Sequence, residues 1–214
     1  MTSSHNDNPQ AHDQGTQGRV RWRRFVFALV PSLAIFGGVL ALTAQGALAS
    51  AFSISGQPFE VSANSLSGQG FQQFGTVDST ASKTPVVVAE SQIGTATLTN
   101  LCQSVVTNIP LLGTYTLRIT AGQGTTPVTA TDLIVDANQL SGSTAIFQNI
   151  QIGRDASTLN QVGGVPLGTP GTFGQQATSV TIDNLRQVAY ATSAGTFTLP
   201  GFSLNLSAGT HACF

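Results

Sequence analysis

The sequence predicts an all-β domain behind an N-terminal export segment, and three observations carry that prediction. Apolar and small polar residues alternate with period two in one run after another, as in Thr114-Tyr115-Thr116-Leu117-Arg118-Ile119 and Thr196-Phe197-Thr198-Leu199; this is the pattern of strands with one buried face. Glycine-rich stretches such as Ser67-Gly68-Gln69-Gly70 and Ala121-Gly122-Gln123-Gly124 punctuate the runs, and no window makes an amphipathic helix of useful length. An internal repeat divides the domain into two related halves.

From the N-terminus, residues 1–24 read as a disordered cytosolic tail. Positions 1–18 are polar and aperiodic, His5 and His12 are solvated within them, and Arg19, Arg21, Arg23 and Arg24 give the segment a basic end. An uncharged apolar run follows at 25–42 and closes in Ala44-Gln45-Gly46-Ala47-Leu48-Ala49-Ser50, where Ala47 and Ala49 stand in a small-x-small arrangement. Residues 25–49 are therefore expected to be a signal peptide cleaved between Ala49 and Ser50. Eighteen apolar residues also reach the lower limit for a bilayer span, so an uncleaved membrane anchor through 25–42 competes, weakened by Pro31, Gly37 and Gly38. Under both readings the arginines hold 1–24 in the cytoplasm and place 50–214 outside. Arg23-Arg24 invites a twin-arginine reading that Trp22 and the loose remainder of the motif weaken.

The exported part, about 165 residues, suffices for one domain with its own core. Beyond Ala49, four basic residues stand against seven acidic ones, a net charge of −3. Such a sparse, mildly acidic surface excludes nucleic acid as a partner, since affinity for phosphates rests on Lys and Arg. Cys102 and Cys213 both lie in this part, and an even count outside the cytoplasm reads as one disulfide tying the chain end to its middle. Two buried free thiols would suit a reducing compartment instead.

Within the domain, Phe52-Ser53-Ile54, Phe59-Glu60-Val61, Thr95 to Thr99, Ala145-Ile146-Phe147 and Val180-Thr181-Ile182 alternate, while Pro85 to Ala89 and Leu133-Ile134-Val135 are dense enough for burial on both faces. Val61-Ser62-Ala63-Asn64-Ser65-Leu66-Ser67-Gly68 returns as Val135-Asp136-Ala137-Asn138-Gln139-Leu140-Ser141-Gly142. Thr97-Leu98-Thr99-Asn100-Leu101-Cys102-Gln103 returns as Thr181-Ile182-Asp183-Asn184-Leu185-Arg186-Gln187, and Gly113-Thr114-Tyr115-Thr116-Leu117 as Gly195-Thr196-Phe197-Thr198-Leu199. The offsets of 74, 84 and 82 fit two copies of one β-unit, about 52–120 and 130–206, separated by loop insertions. Two such units are expected to face each other as a two-sheet sandwich of Greek-key or jelly-roll type. A parallel β-solenoid is the alternative, because Asn100, Asn149 and Asn184 recur in one apolar-x-apolar-x-Asn-apolar pattern and could stack inward. The Ala-Asn-x-Leu-Ser-Gly motif is expected as a turn in each copy.

The residues offer little chemistry. No serine has glycine at both flanking positions, as the hydrolase elbow requires. Ser193, His211 and Asp183 are the one triad that convergence would allow, and a serine in a glycine-bounded turn is the plainer reading. Asp132 and Asp136 are expected on one strand face, where two carboxylates begin but do not complete a calcium site. Arg154-Asp155 reads as a turn-stabilising pair or a partner contact. There is no Cys/His metal cluster, no phosphate loop and no cofactor motif, so neither a metal nor a cofactor is expected.

Arg23-Arg24-Phe25, Ala44 to Ala49, Thr97 to Val105, Ile152-Gly153-Arg154-Asp155-Ala156-Ser157-Thr158-Leu159, Phe173-Gly174-Gln175-Gln176-Ala177 and the final Cys213-Phe214 resemble an actinobacterial exported family known only as domain of unknown function 6230. The resemblance runs from about Arg21 to the end. It implies a cell-envelope setting, often beside a small multi-pass membrane protein, and a frequent "cholesterol esterase" label that no residue motif here supports. The expectation is thus an exported, non-enzymatic envelope protein, secreted or membrane-anchored, that binds a membrane-protein partner or apolar lipid between its sheets. A lipid-ester hydrolase and a structural surface protein assembling through edge strands are the alternatives.

Overall fold

The computed structural model describes residues 54–214. Ten strands account for most of them: β1 (Phe59–Ser79), β2 (Pro85–Thr99), β3 (Leu101–Ile109), β4 (Gly113–Ala121), β5 (Val128–Ser141), β6 (Thr144–Gln148), β7 (Gln151–Asp155), β8 (Phe173–Ser193), β9 (Thr196–Thr198) and β10 (Ser203–Ala208). Among the described residues the only helical turn is a 3₁₀ segment, Ala156–Thr158, and the all-β expectation holds. The basic tail, the apolar segment 25–49 and the Ala49–Ser50 cleavage position lie outside the described residues, among which no helix is long and apolar enough to cross a membrane.

All ten strands share one sheet, in the order β10-β4-β3-β1-β2-β5-β8-β6, with β7 added on β8 and β9 on β5. Each of these strand pairings is antiparallel, which excludes the parallel β-solenoid. Nor do the two repeats form separate facing sheets, because they interleave: β1 pairs with β8, and β2 with β5. The pairings β1–β2, β2–β5, β5–β8 and β8–β1 make a closed circuit. The two longest strands, β1 and β8, each 21 residues, run through this circuit and are interrupted twice along their shared ladder.

The bends are built at two lines of irregular residues that cross the strands. Along the first, the β1–β8 register steps from Ala63↔Leu185 to Ser65↔Asp183 and omits Asn64 and Asn184, and Asn100 separates β2 from β3 beside them. Along the second, Gly70, Gly94, Asp132 and Thr178 are omitted from their ladders, and Asn149 separates β6 from β7. Asn100, Asn184, Asn149 and Asp132 have φ of 52, 50, 51 and 49°, the left-handed region that Asn and Asp tolerate best among residues with a side chain. The recurrent asparagines are thus creases and not an inward stack. The omitted residues stand opposite one another, as Asn64 does to Asn184 and Gly70 to Gly94 and Thr178, so the register continues unshifted across each line while the strands exchange faces there. The buried residues of β1 accordingly change phase, from Val61 and Ala63 to Leu66 and then to Phe71. The Ala-Asn-x-Leu-Ser-Gly motif, expected as a turn, lies inside β1 in the first copy and at the end of β5 in the second.

The core inside the folded sheet contains Leu66, Phe71, Ile93, Leu98, Leu101, Val128, Leu133, Val180, Ile182 and Leu185. The outer face past the second crease is covered by the β7–β8 connection, residues 156–172. Phe74, Ala156 and Leu159 pack together there. Gln72, Gln92 and Gln176, all fully or almost fully buried, supply the polar half of the contact. The Gln72 carbonyl accepts the backbone N–H groups of Gln161 and Val162, each at 3.2 Å, and its amide donates to Gln92. Gln176 accepts from Asn160 N at 2.9 Å, and Gln92 donates to the Pro166 carbonyl at 2.7 Å. The fit is close at Gly70 (φ 67°), where an added Cβ would meet the Gln161 carbonyl oxygen at 2.6 Å.

Candidate functional site

The first crease opens outward as a cleft of about 410 Å³. Its floor is a cross-strand row, Cys102 of β3, Ser62 of β1, Arg186 of β8 and Ser141 of β5, defined by the pairs Ser62↔Cys102, Ser62↔Arg186 and Ser141↔Arg186. The crease asparagines Asn64, Asn100 and Asn184 stand beside it, with Gly142 and Ser143 from the β5–β6 turn. Asn184 donates to Ser143 Oγ at 2.9 Å, Ser143 Oγ to the Asp183 carbonyl at 3.2 Å and Ser141 Oγ to the Arg186 carbonyl at 3.3 Å. The side-chain amides of Asn64 and Asn100 make no hydrogen bond among the described residues, so a ligand would find both donors and acceptors there.

One wall of the cleft is the chain terminus. Cys213 is disulfide-bonded to Cys102, with Cα atoms 5.9 Å apart. Cys213 N also donates to Ser104 Oγ at 3.0 Å, and Phe214 N to Glu60 Oε2 at 3.4 Å. The Phe214 ring lies under the Arg186 guanidinium, 5.4 Å from its centre, a cation–π contact that fixes the one charged side chain lining the cleft. No histidine or carboxylate lines it. It can therefore bind through hydrogen bonds and one positive charge, and it holds no nucleophile paired with a base.

The other residues singled out in the sequence lie elsewhere. Asp183 pairs with Ser65 and Thr144, and Ser193 lies ten residues along β8, opposite Ile134. That is about 30 Å of strand, and among the described residues no hydrogen bond joins the side chains of Ser193, His211 and Asp183. His211 sits on the far wing of the sheet, its backbone N–H 3.0 Å from Thr116 Oγ1 and its ring 3.1 Å from the Ala208 carbonyl. The Ser193–His211–Asp183 triad is not assembled. Asp132, left-handed on the second crease, is exposed whereas Asp136 is buried, so they do not share a face. Instead Asp136 pairs with Glu90 and feels Asp78; burial first, then these two negative charges, push its carboxyl up to about 7. Among the described residues no group of three or more His, Cys, Asp or Glu is placed to hold a metal ion.

Arg154 and Asp155 organise the connection that covers the sheet. Arg154 donates to Gln151 Oε1 at 2.9 Å and to the Thr158 carbonyl at 2.6 Å. Asp155 caps the 3₁₀ turn by accepting from Ser157 N at 2.9 Å, and also accepts from Gly171 N at 2.7 Å. Hydrogen bonds from Ser157 and then Gly171 hold its carboxyl below the usual range. Sequence reasoning missed Asn64 and Arg186 as cleft residues, although both lie within the repeated segments. The repeat itself was their signal, since three of its four longer segments supply the crease asparagines.

The apolar interior is a poorer site. A void bordered by Val61, Leu101, Leu140 and Phe197 measures about 50 Å³, a third of the ~150 Å³ cavity that takes up benzene.

Fold and cleft together define an all-β, disulfide-pinned domain with an open polar groove and no assembled catalytic group among the described residues. The chain belongs to the Family of unknown function (DUF6230), whose model matches residues 55–214. No curated protein and no solved structure matches it.

Proposed function

We propose that this is an exported, non-enzymatic cell-envelope protein whose crease cleft binds a hydroxyl-rich ligand, a glycan of the envelope. The observation that carries the reading is the composition of the cleft: three asparagine amides, three serine hydroxyls and one guanidinium in about 410 Å³. That volume lies in the range of small-molecule sites, and planar amides beside a fixed guanidinium offer paired donors and acceptors to vicinal hydroxyls. Export rests on the N-terminal sequence pattern and on two cysteines joined as a disulfide. The lipid-ester hydrolase reading draws no support from the positions of Ser193, His211 and Asp183. Binding of the oxidised protein to an array of neutral and amino-sugar oligosaccharides tests the proposal. Retention of at least one glycan class is expected, weakened about tenfold by Arg186→Ala and by Asn64→Ala, since a hydrogen bond to a charged group contributes about 1.5–3 kcal/mol. Binding to no glycan, or binding indifferent to both substitutions, refutes it.

A second reading, assembly through edge strands, is favoured by one contrast. β10 ends the sheet with Ser-Leu-Asn-Leu-Ser-Ala, uncharged and without proline, whereas the β6–β7 end is broken at Asn149 and Gly153 and carries Arg154 and Asp155. An unguarded edge invites pairing with a second copy. Light scattering at high concentration, with Leu206→Lys as the control, distinguishes the two readings.

A further inference from the structure

The β3–β4 hairpin turns through Ile109-Pro110-Leu111-Leu112, closed by Leu112 N donating to the Ile109 carbonyl at 3.1 Å. Proline at the second position and φ 71° at the third make this a type II turn, whose third position normally requires glycine. Leu111 occupies it. A leucine held left-handed brings its Cβ too close to the following carbonyl oxygen, and this one gains no burial in return. Its side chain is fully exposed, and Leu112 beside it is 66% exposed. The turn thus departs from the Gly, Asn and Asp chemistry that would stabilise it, and projects apolar surface into solvent.

The surroundings are graded along the hairpin. No charged residue occurs from Val105 to Leu117. Tyr115, paired with Thr107 and Ala208, is half-buried just behind the tip. Arg118, exposed on the polar face of β4 near His211, is the first cation beyond it. From the tip, the order is aliphatic, aromatic with a hydroxyl, then cationic. This sequence matches the acyl region, interface and phosphates of a bilayer.

We propose that the β3–β4 tip, residues 109–112, inserts into a lipid surface, with Tyr115 at the interface and Arg118 against phosphate. A second copy of this chain fits less well. A projecting pair of leucines needs an apolar socket, and the open clefts of about 410 and 500 Å³ are lined mostly by Ser, Asn, Thr, Arg and His side chains. A bilayer needs no preformed socket.

The test uses the full chain with an environment-sensitive nitrobenzoxadiazole label on Leu111→Cys or Leu112→Cys, and on Ser82→Cys in the β1–β2 turn as control. Vesicles of equal parts phosphatidylcholine and phosphatidylglycerol are added, with and without nitroxide-labelled acyl chains. Labels at 111 and 112 are expected to shift to the blue and to be quenched by the nitroxide lipid, while the label at 82 stays in water. This comparison remains valid when residues 25–42 themselves anchor the chain. Labels at 111 and 112 that remain in water, or that match the label at 82, overturn the proposal. So does a blue shift that appears on raising protein concentration without lipid, which would mark a protein–protein contact.

Discussion

Asp136 shows how a single side chain sets a pH response. Its carboxyl, ordinarily near 3.8, is pushed up to about 7 by burial and by the negative charges of Asp78 and Glu90, and Oδ1 has no hydrogen-bond partner. The folded state therefore favours the neutral acid more than the unfolded chain does. The stabilising contribution is complete below about pH 4 and is lost as pH rises through about 7. Asp155 acts with the opposite sign: hydrogen bonds hold its carboxyl low, so its contribution is present above the ordinary carboxylate range and lost on strong acidification. Asp136→Asn removes the ionisation while preserving shape. Thermal melts should show the variant level with the parent below about pH 4 and increasingly more stable as the pH rises to 8, by on the order of 2–4 kcal/mol there, or several degrees in a domain of this size. Parallel pH profiles for variant and parent would show that Asp136 does not carry the effect.

At the scale of elements, the long strands function only because they are creased, and the creases explain what could and could not be read from the sequence. Period two revealed the strands, since alternation is a property of each panel between creases. The repeat contains Asn64, Asn100 and Asn184, but a left-handed crease within the sheet and a turn between strands use the same residues, so the pattern does not tell one from the other. The strand partners were illegible because β1 carries two hydrogen-bonding edges and the sequence does not say which distant strand fills each. The roles of Gln72, Gln92 and Gln176 were hidden for another reason. A glutamine in a strand reads as a solvated position until a connection such as 156–172 covers it. That connection is clamped by polar contacts whose removal leaves buried backbone groups unpaired. Gln72→Leu orphans the N–H groups of Gln161 and Val162, each costing about 1–3 kcal/mol. It should lower the melting temperature by roughly 5–10 °C and expose 156–172 to limited proteolysis. A melting temperature within a degree of the parent would show that the clamp adds nothing.

For the molecule as a whole, the disulfide links stability to the cleft. Cys102 and Cys213 are 111 residues apart, and closing so long a loop stabilises the folded chain by up to about 4–5 kcal/mol through the unfolded state. The core inside the sheet contains neither cysteine. Opening the bond should therefore leave the sheet folded while releasing the terminal segment that holds Phe214 against Arg186 and Glu60. A Cys102→Ser, Cys213→Ser variant is expected to keep its β-sheet circular dichroism. It should melt roughly 10 °C lower, since each kcal/mol shifts a domain of this size by about 2–4 °C. Hydrogen exchange separates the two consequences: amides of 211–214 should lose protection, those of Leu66 and Val180 should keep theirs, and any glycan bound by the oxidised protein should bind more weakly because Arg186 is no longer fixed. Unchanged protection at 211–214 would mean that Ser104, Glu60 and Arg186 hold the terminus by themselves. The cleft wall would then be set by packing, and the disulfide would act on the unfolded chain alone.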